Sequence, residues 1–178
     1  MSVKCYSSRM ESGTLIVLRG PSGAGKSTVA RMLHGQAVRK TALIEQDHYR
    51  HVMFNNPHSE LEAARQVMFA SIRSALEHGY DVITEGILSM GRYRPYFDRL
   101  FDTHPHRNHL FYMDIDFDES VRRHATRDKQ HLFSISDMRE WYDRATPSGY
   151  PGEVLLAADL TAEESVRNIA EIGGIALR

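Results

Sequence analysis

The stretch Gly20-Pro21-Ser22-Gly23-Ala24-Gly25-Lys26-Ser27-Thr28 fits the pattern G-x-x-x-x-G-K-[ST] and decides the fold that we expect. An apolar, β-branched run of strand length precedes it at residues 14–19. Apolar residues at helical spacing follow it, namely Val29, Ala30, Leu33 and Ala37. A phosphate-binding loop (P-loop) lies between a strand and a helix, so this context supports the motif. We refer to residues 20–28 as the P-loop.

The residue types of the P-loop suit the binding of a nucleoside triphosphate. Glycines let the backbone wrap around phosphates with its N–H groups pointing inward, and the following helix presents its positive end to the same anion. We expect the whole loop to contact the nucleotide, Lys26 to reach the β- and γ-phosphates in a catalytic role, and the Ser27 hydroxyl to ligate Mg²⁺. The alternative is an ordinary glycine-rich turn, but Gly, Lys and Ser all stand where the motif needs them.

The composition is that of a globular protein without a strong overall charge. The chain has 178 residues, of which 42% are hydrophobic, and its formal net charge is −1 at pH 7. No overall field would attract nucleic acid or an anionic membrane surface. The single cysteine, Cys5, excludes an intramolecular disulfide and fits a reducing compartment. Since no apolar run approaches the ~18 residues of a membrane span, we expect a cytoplasmic protein without a membrane partner.

The chain reads as one domain after a short extension. Residues 1–13 are polar and lack the apolar centre of a signal peptide, so we expect a loose N-terminal extension there. From residue 14 to residue 178, strand-like runs alternate with helical patterns, which indicates a single α/β domain. Five strands are predicted, over residues 14–19, 42–45, 81–84, 109–115 and 154–157.

Helical patterns fill the intervals between these strands. They predict helices over residues 26–39, 59–78, 92–101, 118–127 and 136–145, and a last helix that starts at a capping box, Thr161 to Glu164. Alternation of this kind favours a five-stranded, mainly parallel sheet covered by helices on both faces. We therefore expect a three-layer α/β/α fold of the P-loop NTPase type, with a small helical lid at about residues 122–137.

Two polar side chains follow the second predicted strand, where ligands of parallel sheets bind. Asp47 could accept a proton from an attacking hydroxyl at the γ-phosphate, or it could simply cap a helix, and the sequence leaves both open. Arg50 lies three residues on and could hold an anionic part of a phosphate acceptor. A solvated surface arginine is an equally good interpretation of Arg50.

The third predicted strand also ends in a candidate site residue. Glu85 could orient a Mg²⁺-bound water or the acceptor, and Gly86 after it would permit close backbone approach. A carboxylate with a structural role in a turn is the alternative. Arg92 and Arg94 lie in the next segment and could line the acceptor site. Asp47, Arg50, Glu85 and Arg92 are the predicted acceptor-binding residues.

Arg123 and Arg127 stand four residues apart in a predicted helix, so they would share a face. Two guanidinium groups before a polar loop suit a lid that closes over phosphates, where arginine stabilises the charge on the transferring group. The alternative is a solvated basic face paired with Asp118 and Glu119.

Together these motifs resemble the P-loop kinases of the small-molecule and polynucleotide kinase group, including AAA_33-like, chloramphenicol phosphotransferase-like and zeta-toxin-like kinases. The resemblance rests on the P-loop, on Gln46-Asp47-His48-Tyr49-Arg50 and on Arg122-Arg123-His124-Ala125-Thr126-Arg127, and it spans about residues 14–172. It implies ATP as the nucleotide, Asp47 as general base, and Arg123 and Arg127 as lid arginines. The sequence has Glu85-Gly86-Ile87 where such kinases often have Asp-x-Asn, so the resemblance does not give the acceptor.

The expected activity is transfer of the ATP γ-phosphate, with Mg²⁺, to a hydroxyl of a metabolite, antibiotic or nucleoside. One alternative is a polynucleotide 5′-hydroxyl kinase, against which the near-neutral charge weighs, since nucleic-acid binding depends on Lys and Arg contacts with phosphates. A second is a nucleotide-binding ATPase or regulator without an acceptor. A GTP-type switch would need a guanine-reading Asn-Lys-x-Asp segment, which the sequence lacks.

Overall fold

The computed structural model describes residues 13–55, 62–105, 107–125 and 134–178. Five strands form one sheet in the order β2-β3-β1-β4-β5, and every neighbouring pair is parallel. The strands are β1 (Leu15–Arg19), β2 (Thr41–Glu45), β3 (Asp81–Gly86), β4 (Asn108–Asp114) and β5 (Val154–Ala157). The predicted five-stranded α/β fold is confirmed, and the described sheet is parallel throughout.

Helices cover both faces of the sheet and make the fold a three-layer one. The α-helices are α1 (Lys26–Gln36), α2 (Glu62–Glu77), α3 (Met90–Thr103), α4 (Phe117–Ala125), α5 (Ile135–Arg144) and α6 (Ala162–Gly173). A π-helical segment, His48–Met53, follows β2. Among the described residues, no helix combines the length and the apolar character that crossing a bilayer requires.

Alternate side chains of β1 divide the core between the two helical layers. Ile16 and Leu18 belong to a buried cluster with residues of α1 and α6. Leu15 and Val17 belong to a second cluster with residues of α2 and α3. This is the period-two alternation of a strand that is buried on both faces.

The structure corrects the predicted end of the first helix. We expected this helix to reach residue 39, but α1 ends at Gln36. Residues 36–38 pair with the last residues of the chain, since the Val38 N–H donates to the Ala176 carbonyl and the Arg178 N–H donates to the Gln36 carbonyl.

The capping box at Thr161 is confirmed at the start of α6. Residues 126–133 of the predicted lid lie outside the described residues. Of the predicted N-terminal extension, Gly13 is described and residues 1–12 are not.

The strand order predicts a crevice at the carboxyl end of β1. The connection from β1 leads to β2 at one edge of the sheet, whereas the connection from β4 leads to β5 at the opposite edge. Neighbouring strands whose connections diverge in this way leave a crevice between them, in which ligands of α/β proteins bind. The P-loop follows β1 and therefore lies at this crevice.

Arg19, the last residue of β1, is fully buried beneath the P-loop. It forms an ion pair with Glu153 at 2.8 Å, and its guanidinium also donates to the carbonyls of Thr146 and Leu88, at 3.0 and 3.2 Å. These contacts tie three segments to β1, namely the loop after β3, the loop after α5 and the turn before β5. A buried arginine with this many partners fixes these segments relative to the carboxyl end of β1.

We predict that Arg19→Leu lowers the free energy of unfolding by about 3–5 kcal/mol, because it leaves the Glu153 carboxylate buried without a counter-ion. The matched control is Arg144→Leu, which breaks an exposed ion pair with Glu140 on α5 and should cost less than about 1 kcal/mol. Urea unfolding of both variants measures the difference. The double variant Arg19→Leu/Glu153→Leu should recover part of the loss, and equal effects at positions 19 and 144 would contradict the assignment.

Candidate active site

The P-loop is packed so closely that two of its glycines have no room for a side chain. Gly20 has a φ of 146° and Gly23 a φ of 84°, both in the region that glycine favours. A Cβ at Gly20 would lie 2.8 Å from the Met113 carbonyl oxygen, and one at Gly23 would lie 2.8 Å from that of Ser120. The carboxyl end of β4 and the first turn of α4 therefore pack directly against the P-loop backbone.

Lys26 lies in the first turn of α1 with its side chain folded back across the P-loop. Its Nζ donates to the Pro21 carbonyl at 2.7 Å, and the residue is 8% exposed. The ammonium group is thus held inside the ring of backbone that the P-loop forms. A bound phosphate would meet this positive charge together with the positive end of α1.

Ser27 and Glu85 meet beside Lys26. The Ser27 hydroxyl donates to Glu85 Oε1 at 3.0 Å, and the parallel register sets Glu85 opposite Leu18 of β1. Burial raises the pKa of the Glu85 carboxyl above its ordinary value, while the charge of Lys26 and the hydrogen bond from Ser27 act in the opposite direction. The negative charge of Asp47 raises the same pKa further, so Asp47 also acts on this group.

The chemistry of this donor set fits Mg²⁺. A hydroxyl and a carboxylate are hard oxygen ligands, and Mg²⁺ binds through one or two such groups together with phosphates and waters. Within the described ranges, no group of three or more His, Cys, Asp or Glu side chains could hold a metal by itself. Ser27 and Glu85 can therefore supply protein ligands to a metal ion that arrives with a nucleotide.

Asp47 lies after β2 with 74% of its side chain exposed. It occupies the N-cap position of the π-helical segment, but its carboxylate makes no capping hydrogen bond there. The structure thus gives no support to the helix-cap interpretation of this residue. The Nε2 atom of His51 lies 3.7 Å from Asp47 Oδ1. A π-helical turn of this kind often marks a functional site.

The two arginines predicted to bind the acceptor occupy different settings. Arg50 lies within the π-helical segment and is half-buried, whereas Arg92 lies in the first turn of α3 and is exposed. Arg94 points elsewhere, since it donates to the Ser148 carbonyl and stacks over the Tyr150 ring at 4.6 Å. The acceptor roles of Arg50 and Arg92 remain predictions.

Arg123 bridges α4, the P-loop and the turn after β5. Its Nε donates to Glu119 at 2.5 Å, its Nη2 to the Ala158 carbonyl at 2.9 Å and its Nη1 to the Ala24 carbonyl at 3.5 Å. In this arrangement Arg123 holds protein backbone, and its contact with phosphate stays a prediction. Arg122 donates to the same Glu119 carboxylate at the surface. Arg127 lies outside the described residues.

Sequence reasoning assigned no role to two buried polar residues near the site. Gln46 follows β2 and hydrogen-bonds to the loop after β3 and to Tyr93 of α3, and Arg19 donates to the Leu88 carbonyl in the same loop. A polar residue that ends an apolar strand is a signal that could have identified both. Their partners, however, are distant in sequence, so the pattern alone does not reveal what they contact.

The sequence profile of the AAA_33 family, described as an AAA domain, matches residues 15–145, nearly three quarters of the chain. A search of curated proteins finds no match.

Similar folds occur among solved structures, including kinases. A gluconokinase from Sinorhizobium meliloti 1021 is 19% identical with a TM-score of 0.65, and the match covers 92% of this chain and 94% of that one. The Mycobacterium tuberculosis APS kinase CysC, solved with AMPPNP and APS, is 15% identical with a TM-score of 0.70, covering 90% and 97%. A chain of the Pnkp1/Rnl/Hen1 RNA repair complex is 18% identical with a TM-score of 0.59, covering 75% and 44%.

The expected resemblance is therefore confirmed at the level of family and fold. A strand, a glycine-rich loop and a helix follow one another in the order that the motif requires, and the sheet around them matches that of solved P-loop kinases. The chain belongs to the AAA_33 family and has the fold of P-loop kinases.

Proposed function

We propose that this protein is an ATP-dependent phosphotransferase that moves the γ-phosphate to a hydroxyl group of a small molecule. The observation that carries the proposal is the convergence of Lys26, Ser27 and Glu85, with the charge of Asp47 acting on the same carboxylate. A donor site for phosphate and a candidate base thus lie at the ends of neighbouring strands. This is the arrangement that phosphoryl transfer needs.

In this proposal the P-loop binds the triphosphate of ATP. Its backbone N–H groups and the Lys26 ammonium meet the phosphates, and Lys26 exchanges the Pro21 carbonyl for phosphate oxygens. Ser27 and Glu85 would hold Mg²⁺, which would neutralise charge on the phosphates. A cation there would favour the ionised form of the Glu85 carboxylate and so oppose the rise in its pKa that burial causes.

Asp47 is the candidate general base. The acceptor oxygen attacks the γ-phosphorus, the bond to the bridging oxygen breaks, ADP leaves, and the proton of the acceptor hydroxyl passes to the Asp47 carboxylate. The exposure of Asp47 leaves its carboxylate accessible to an incoming acceptor. Arg50 and Arg92 would contact the remainder of the acceptor, where guanidinium groups favour a carboxylate or phosphate substituent.

Two alternatives remain distinct from this proposal. The similarity to a chain of an RNA repair complex favours a polynucleotide 5′-hydroxyl kinase, while the net charge of −1 provides no broad basic surface for a nucleic acid. A nucleotide-binding ATPase without an acceptor would use the same P-loop.

A coupled ADP-release screen over antibiotics, nucleosides, sugars and 5′-hydroxyl oligonucleotides tests all three. We expect a small-molecule hydroxyl compound to raise ADP release above the rate with water alone, and Lys26→Ala to lower that rate by about 10²–10³-fold. Stimulation by oligonucleotides alone would support the polynucleotide kinase instead. ADP release that no acceptor accelerates would support the ATPase.

Asp47→Asn should lower kcat by about 10²–10⁴-fold, because the amide cannot accept the proton. Binding of Mg²⁺ and AMPPNP, followed by calorimetry, should be unchanged, since the P-loop ligands remain. The control is Asp102→Asn, which makes the same change at an exposed position of α3 and should leave kcat unaltered. If Asp47→Asn transfers phosphate at the wild-type rate, another group accepts the proton.

Glu85→Gln should stabilise the nucleotide-free protein while lowering its Mg²⁺-dependent activity. Because burial raises the pKa of Glu85 in the folded state, the ionised carboxylate costs stability once the pH exceeds the ordinary glutamate pKa of 4.5. The cost is absent below that value and complete above the raised pKa, so the gain in Tm of the variant should be larger at pH 8 than at pH 4. Thermal unfolding with EDTA measures this difference, and a pH-independent Tm difference would refute the explanation.

A further inference from the structure

Gln46 connects the end of β2 to the loop after β3. It follows β2 directly, precedes Asp47 and is 3% exposed. Its Oε1 accepts a hydrogen bond from the Ile87 N–H at 3.0 Å, and its Nε2 donates to the Tyr93 hydroxyl at 2.6 Å. One carboxamide thus joins β2, the loop between β3 and α3, and α3 itself.

The packing of Gln46 against Gly86 makes this connection possible. A Cβ at Gly86 would lie 2.4 Å from Gln46 Oε1 and 2.6 Å from Gln46 Cβ. Any side chain at position 86 would therefore displace the carboxamide. Gly86 directly follows Glu85, so Gln46 crosses the end of β3 immediately beyond the candidate metal ligand.

In the loop after β3, the backbone of Leu88 adopts a conformation that is unfavourable for a non-glycine residue. Its φ is +43°, a left-handed value that an L side chain rarely adopts, and the residue is fully buried. The Leu88 carbonyl accepts a hydrogen bond from Arg19 Nε at 3.2 Å, and its N–H lies 3.5 Å from Gln46 Oε1. Such conformations persist where the surrounding structure fixes them, and here Arg19 and Gln46 hold the segment from both sides.

Gln46 lies between the two candidate carboxylates, Glu85 and Asp47. Glu85 is the last residue but one of β3 and stands opposite Glu45 in the parallel register with β2, and Asp47 follows two residues after Glu45. Gln46 is bonded covalently to Asp47 and hydrogen-bonded to Ile87, two positions after Glu85. Its side chain therefore connects the ends of β2 and β3 beyond the last residue pair of their ladder.

We propose that Gln46 is a positioning residue that fixes the Glu85 carboxylate relative to that of Asp47. The inference rests on the proposed function, in which Glu85 ligates Mg²⁺ and Asp47 accepts the proton. Gln46 contacts neither the nucleotide nor the acceptor in this role. It acts through the backbone of the loop after β3 and through its peptide bond to Asp47.

The experiment measures the Mg²⁺ concentration at half-saturation of AMPPNP binding. Gln46→Met keeps a similar side-chain volume but removes the amide. We expect it to raise the Mg²⁺ half-saturation concentration about tenfold, because the Ile87 N–H loses its acceptor and the loop no longer holds Glu85 in place. AMPPNP binding without Mg²⁺ should be unchanged, since the variant leaves Lys26 and the P-loop glycines intact.

A matched pair of variants on α3 supports the test. Tyr93→Phe removes the hydroxyl that Gln46 contacts, and it should shift the Mg²⁺ dependence in the same direction by a smaller factor. Tyr96→Phe removes a hydroxyl from the same helix that bonds instead to Glu62, and it should leave the Mg²⁺ dependence unaltered. Because Tyr93→Phe keeps its ring in the core, it provides the measurement if Gln46→Met does not fold.

The possible failures of this inference and of the proposed function are distinguishable. If Gln46→Met and Tyr93→Phe lower the Tm but leave the Mg²⁺ half-saturation concentration at the wild-type value, Gln46 is a structural residue only and the inference is overturned. If AMPPNP binding to the wild-type protein does not respond to Mg²⁺, Glu85 is not a metal ligand, and the proposed function fails together with the inference.

Discussion

The burial of the Glu85 carboxylate is the constraint on which the candidate site depends. A buried charge is costly unless nearby groups compensate it, and Lys26 and Ser27 are the groups that do so. They can reach Glu85 because β3 lies next to β1, so that Glu85 stands opposite Leu18 just before the P-loop. The strand order therefore determines which side chains meet at the candidate site, and it also determines which side chains form the core.

Features that depend on neighbouring residues were predictable from the sequence. Short stretches of sequence encode three of these features. Glycine spacing indicates the P-loop, apolar runs indicate the five strands, and a glutamate three residues after Thr161 indicates the capping box. The parallel order follows from the alternation of strands and helices. The proximity of Glu85 to Ser27 could also be anticipated, since both lie at the carboxyl ends of strands or directly after them.

Features that depend on distant partners were not predictable. Gln46 bonds to a residue 41 positions away and Arg19 to one 134 positions away, and no periodicity in the sequence links such pairs. The early end of α1 has a similar origin, because residues 36–38 pair with the end of the chain. Arg123 was expected to face phosphate from its helical spacing and from the family resemblance, and neither indicates its contacts with the backbone of the P-loop and of the turn after β5.

The conformation of Leu88 limits how this protein can diversify. Its side chain fills the core cluster that also contains Phe97, while its backbone adopts a left-handed conformation that glycine would tolerate best. Glycine would relieve the backbone but leave a cavity, and a β-branched residue would fill part of the space while tolerating the backbone conformation even less well. Single substitutions at position 88 are thus unfavourable ways to reshape the loop after β3. Evolution of the loop after β3 would more readily proceed by changes in its length, or by substitution of the exposed residues that follow it on α3.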